Sequence, residues 1–140
     1  MPKIDELFRM MIEHVASDLH LVAGQVPTFR INGELERLPG AVVLDNQGLH
    51  DLLYEITPSP KKEVFESTGD VDFGYEIPGI ARFRSNFFNH KYGMGAVFRK
   101  IPTTIVSAEA LGLPPVLTRA AMLRKGLVLV TGPTGSGKST

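Results

Sequence analysis

Gly132, Pro133, Thr134, Gly135, Ser136, Gly137, Lys138 and Ser139 fill every fixed position of a G-x-x-x-x-G-K-[ST] run. The glycines let the backbone curl tightly enough for successive N–H groups to point at phosphate oxygens. In such a loop Lys138 reaches the β- and γ-phosphates of ATP, and the Ser139 hydroxyl ligates Mg²⁺. A helix beginning at this point, beside Thr140, adds the positive end of its dipole. The competing reading is a flexible Gly/Ser-rich tail. Four fixed positions coincide by chance in fewer than about one chain in a hundred of this length. The aliphatic run Leu127-Val128-Leu129-Val130 immediately before the loop reads as the buried strand of a strand–loop–helix unit. Together they favour nucleotide binding. Hydrolysis further needs an acidic residue for Mg²⁺ and a group that orients water, both normally on later strands. Residues 1–140 by themselves are therefore expected to be hydrolytically inactive.

The elements ahead of the loop are legible from their periods. Ile4, Leu7, Phe8, Met11, Ile12 and Val15 make one apolar helical stripe. Ser17–Val22 alternates as a strand does. Thr28–Asn32 and Glu34–Leu38 flank Asn32-Gly33, a two-residue hairpin signal. Leu49, Leu52, Leu53 and Ile56 mark a second helix opening at Asp45, and Thr57-Pro58-Ser59-Pro60 stops it. Ser59 is placed to cap a third helix with Pro60 in its first position. Strands are expected at 71–77, 82–89 and 94–101. The pattern loses its period from Pro102 to Pro115, a linker, and a short helix near Val116–Arg124 leads to the aliphatic run.

Composition narrows the class. Lysine plus arginine equals aspartate plus glutamate, 15 each, so nothing favours nucleic acid or an anionic bilayer. Cysteine is absent, which excludes disulfides and thiolate metal sites. The N-terminus mixes charges unlike a secretory signal, and no apolar run approaches the ~18 residues that span a bilayer. A cytoplasmic protein without membrane insertion is the expectation.

The order of motifs resembles the secretion and pilus ATPases, and most closely the PilT-type retraction ATPases. The residues that carry the resemblance are Ala16-Ser17-Asp18-Leu19-His20-Leu21, Pro78-Gly79-Ile80-Ala81-Arg82-Phe83-Arg84-Ser85-Asn86 and Gly95-Ala96-Val97-Phe98-Arg99-Lys100-Ile101-Pro102. Glu109-Ala110-Leu111-Gly112-Leu113-Pro114 and Arg124–Thr131, running into the loop, complete it. The resemblance implies an α+β arrangement. A PAS-like N-terminal domain with an antiparallel sheet and flanking helices (1–101) is followed by a linker (102–115). The opening of a RecA-like ATPase core (116–140) comes last. It also implies homo-hexameric rings that use ATP and Mg²⁺ to retract type IV pili in twitching motility. These rings would act at the cytoplasmic side of the inner membrane against a platform protein. Two rivals remain open: an extension or secretion ATPase, which usually carries more N-terminal domains and a cysteine zinc motif, and a PAS-like sensory or docking module on another P-loop protein.

Three arginines join the candidate site. A three-residue turn at Pro78-Gly79-Ile80 sets Tyr75 opposite Phe83, Val71 opposite Phe87 and Glu76 opposite Arg82. A four-residue turn at His90–Gly93 sets Arg84 opposite Arg99. Most aromatics then share one face, and Arg82, Arg84 and Arg99 the other. Opposed like charges destabilise a sheet unless an anion lies near. From the residues alone, a pair between Arg82 and Glu76 with the other two solvated is the simpler account. The resemblance implies instead that these arginines lean over nucleotide phosphates. Asp18, His20, His50 and His90 lack ligand spacing, and Asp70, Asp72 and Glu76 read as a solvated face.

Overall fold

The structure, a computed structural model, describes residues 2–102 and 106–132. It divides into two compact units, Met1–Thr103 and Thr104–Thr140.

In the first unit, helix α1 (Ile4–Glu13) leads into strand β1 (Asp18–Val22) and the hairpin β2 (Thr28–Ile31) and β3 (Glu34–Arg37). Asn32 and Gly33 close that hairpin with φ of 51° and 89°, the paired positive values of a type I′ turn. Helix α2 (Asn46–Tyr54) opens at Asp45, whose carboxylate accepts from the Gly48 N–H at 2.7 Å. Helix α3 (Ser59–Thr68) differs slightly from expectation: Ser59 is its first residue, Pro58 occupies the cap, and no side chain caps it. The Pro58 carbonyl accepts from the Lys61 and Lys62 N–H groups instead. Strands β4 (Asp70–Ile77), β5 (Ala81–His90) and β6 (Gly93–Ile101) follow.

The six strands form one antiparallel sheet in the order β3-β2-β1-β6-β5-β4. β1 therefore docks against β6, which joins the early hairpin to the late meander. Helices α1, α2 and α3 pack on β1, β6 and β4 respectively. Strand alternation sends Leu19, Leu21, Phe83, Phe87, Ala96 and Phe98 into the core beneath them. The Phe8 ring of α1 stacks on Phe83 at 4.3 Å and meets Phe98 edge-on at 5.0 Å. Each such aromatic contact adds about 0.5–1.5 kcal/mol beyond the area it buries.

Val15, counted in the helical stripe from its spacing, lies outside α1 and is 80% exposed. The chain turns at that point. The Val15 N–H donates to the Ile12 carbonyl at 3.0 Å and the Ala16 N–H to the Met11 carbonyl at 2.9 Å, with Val15 at φ 53°. This is a Schellman closure, which turns the side chain away from the stripe.

The second unit holds helix α4 (Pro115–Ala121), preceded by a turn around Ala108–Gly112 in which the Ala110 N–H donates to Ser107 Oγ. The expected strand at Leu127–Val130 is not formed: none of the four is in a strand, and they are 56–81% exposed. A buried parallel strand exists through hydrogen bonds to neighbours on both edges. Among the described residues nothing pairs with this run. No helix among the described residues is long and apolar enough to cross a membrane.

Candidate functional site

The helix-free face of the sheet gathers the unit's polar chemistry. Alternation and register place Asp72 and Glu76 of β4, Arg82, Arg84 and Asn86 of β5, Val97 and Arg99 of β6, Asp18 and His20 of β1, and Arg30 of β2 on that face. The cross-strand partners expected from turn lengths are all present: Tyr75 with Phe83, Val71 with Phe87, Glu76 with Arg82, and Arg84 with Arg99.

Arg84 and Arg99 border a shallow depression of about 330 Å³, with Asp72, Asn86 and Val97 completing its rim. The two side chains are 68% and 70% exposed, yet each is held at one atom. Arg84 Nε donates to Asp72 Oδ1 at 3.3 Å and Arg99 Nε to Asp18 Oδ1 at 2.8 Å. Arg82 is one row away, its guanidinium 3.8 Å from the position a Cβ on Gly74 would take. The simpler pairing of Arg82 with Glu76 is not formed. The residues lie opposite one another, but no ion pair joins them among the described residues. Asp72, expected to be merely solvated, holds Arg84 along the diagonal of the ladder.

Sequence reasoning set Asp18 aside, and the structure gives it a central place. Its side chain is 4% exposed and receives Ser17 Oγ at 2.7 Å and Arg99 Nε, with Arg30 Nε at 3.6 Å. Burial by itself would raise its pKa, but the hydrogen bonds from Ser17 and Arg99 outweigh that and hold it below the ordinary carboxylate value. It is therefore ionised at neutral pH. His20, next along the same face, is pushed down by burial and by the charge of Arg30, so the imidazole is neutral at pH 7. The signal for Asp18 lay in the pairing of β1 with β6, which no local turn reveals.

What the face offers is a pair of like charges, opposed across two strands and anchored through Nε, with the terminal guanidinium nitrogens uncommitted among the described residues. Such nitrogens form a planar fork matched to phosphate oxygens. Of the loop itself, Gly132 belongs to the described residues, while Pro133, Thr134, Gly135, Ser136, Gly137, Lys138, Ser139 and Thr140 lie outside them.

No family model matches the chain. It is 45% identical over 137 residues to the type IV pilus retraction ATPase PilT of Pseudomonas aeruginosa, covering 98% of this chain and 40% of that protein. The crystal structure of the pilus retraction motor PilT with bound ADP superposes with a TM-score of 0.87 at 37% identity, covering 99% of this chain and 40% of that one.

The chain is a relative of the PilT-type retraction ATPases.

A twitching motility protein of Neisseria gonorrhoeae is a further relative, 37% identical over 119 residues, which are 85% of this chain and 32% of that protein. The chain thus spans about two fifths of the length of the PilT proteins it matches. Over that share, the fold is one already solved in a PilT-type protein.

Proposed function

We propose that this chain is the N-terminal part of an ATP-driven motor subunit that retracts type IV pili, with its outer sheet face turned towards nucleotide. The observation that carries this reading is the match to PilT along 98% of the chain at 45% identity, joined to an intact phosphate-loop sequence at 132–139. Gly132 to Thr140 would wrap the phosphates, Lys138 would neutralise charge developing on them, and Ser139 would hold Mg²⁺. Arg82, Arg84 and Arg99 would supply positive charge from the opposite side. Residues 102–115 would act as the hinge between an N-terminal domain, 1–101, and an ATPase core beginning near 116. A nucleotide gripped from both sides binds best in a closed arrangement, so hydrolysis and release would shift that hinge.

In this reading the working form is a homo-hexamer at the cytoplasmic side of the inner membrane, pressing on a platform protein. Residues 1–140 alone do not turn over ATP, because the acidic Mg²⁺ partner and the water-orienting group are contributed by other strands. The test uses the complete ATPase. Replacing Lys138 by alanine abolishes turnover and twitching motility while the protein remains folded. Normal ATP turnover in that variant would end the motor reading.

A further inference from the structure

Arg84 and Arg99 face each other across β5 and β6, where two cations repel unless something fixes them. Each guanidinium is tied at Nε by a carboxylate from the strand on its far side, but the two ties differ. Asp72 is 48% exposed and meets Arg84 at 3.3 Å. Asp18 is 4% exposed and meets Arg99 at 2.8 Å, its second oxygen taken by the Ser17 hydroxyl at 2.7 Å with Arg30 beside it at 3.6 Å. A carboxylate held on three sides cannot swing, so it transmits its fixity to whatever it binds. An arginine that is 70% exposed would otherwise spread over many rotamers.

We propose that Asp18 is a positioning residue for Arg99, locking Nε against β1 so that both terminal nitrogens stand preorganised towards an incoming phosphate. The inference rests on the reading of this face as phosphate-directed. It adds that Arg99 is the rigid contact and Arg84 the adaptable one, a difference that the arginines' matching exposures conceal. Donors fixed before the reaction stabilise developing charge without reorganising, so the effect belongs in kcat. Asp18 touches no substrate and acts only through Arg99.

The experiment is a double-mutant cycle in the complete ATPase, with kcat and KM for MgATP measured alongside thermal midpoints. Asp18→Ala lowers kcat by about ten- to a hundredfold, as expected when a charged contact is misplaced by an ångström or so, and moves KM far less. Asp18→Asn preserves volume and one acceptor oxygen, and lowers kcat in the same direction by a smaller factor. In the Arg99→Ala background, adding Asp18→Ala changes kcat by no more than about twofold, because the group it positions is gone. Equal losses in both backgrounds would show that Asp18 only supports the fold, and an unchanged kcat in Asp18→Ala would also overturn the proposal. If Arg99→Ala alone leaves kcat intact, the phosphate-directed reading of the face fails, and this inference with it. The single Arg99 variant therefore separates the two failures.

Discussion

Two carboxylates are buried on opposite faces of the sheet, and each depends on a neighbour to be tolerated there. Asp18 has its arginines. Asp5, in the first turn of α1, is 4% exposed and accepts from the Tyr75 hydroxyl at 2.8 Å, the one side-chain donor it has among the described residues. Burial first, and then the Asp5 hydrogen bond and charge, push the Tyr75 phenol up to about 12 from its ordinary value near 10. Tyr75→Phe leaves the Asp5 carboxylate without that donor and lowers stability at pH 7 by about 1–3 kcal/mol. The sign with pH follows from the raised value. Below about pH 10 the phenol is protonated in both folded and unfolded chains and its contribution is complete. Between about 10 and 12 the folded chain binds the extra proton and stability falls as pH rises. Urea denaturation at pH 7 and across that window should show the decline in the parent protein and its loss in Tyr75→Phe. Equal stabilities at pH 7 would refute the assignment. At this scale the sequence revealed the arginines but not their anchors. Arg84 opposite Arg99 follows from one turn length, whereas Arg99 meeting Asp18 joins residues 81 positions apart, and only the closed sheet brings them together.

Elements were legible wherever turn chemistry is local. Asn32-Gly33 forces a two-residue hairpin, and the Gly at 69 that ends α3 adopts φ 76°, a left-handed cap. Period alone misled at the end of α1, because Val15 continues the apolar spacing while its backbone leaves the helix. It misled again at Leu127–Val130, where four aliphatic residues promise a strand that needs partners to exist. Val15 gives a test of the first point. A β-branched residue in the left-handed region costs about 1–2 kcal/mol, and this side chain is 80% exposed, so little packing offsets the strain. Glycine is the residue that a Schellman closure favours at this position. Val15→Gly should therefore stabilise the protein by about 1 kcal/mol, less the greater entropy glycine brings to the unfolded chain. The check is a denaturant midpoint that rises at unchanged slope. A fall in the midpoint would mean that Val15 makes a contact beyond those described, and the strain argument would be lost.

At the scale of the molecule, the apolar burial is divided unevenly. Every buried hydrophobic side chain of the described residues, from Ile4 to Phe98, belongs to the first unit. The second unit leaves Val116, Leu117, Met122, Leu123 and Leu127–Val130 exposed. A domain that stands alone owns a core, and the buried core of the described residues lies within residues 1–103. Their sheet is also closed in sequence terms: β1, near the start, pairs with β6, near the end, so no central strand waits for an outside partner. Expressed by itself, the 1–103 segment should unfold in a single cooperative transition, with coincident changes in far-ultraviolet circular dichroism and aromatic fluorescence. Removing β6 by ending the chain at residue 92 should abolish that transition, because β1 and β5 would both lose their shared neighbour and Phe98 would leave the aromatic cluster. A gradual, dye-binding melt for 1–103 would show that the sheet borrows stability from residues beyond it. The arginine face would then be shaped by whatever those residues form, and its geometry could not be treated as a property of this unit alone.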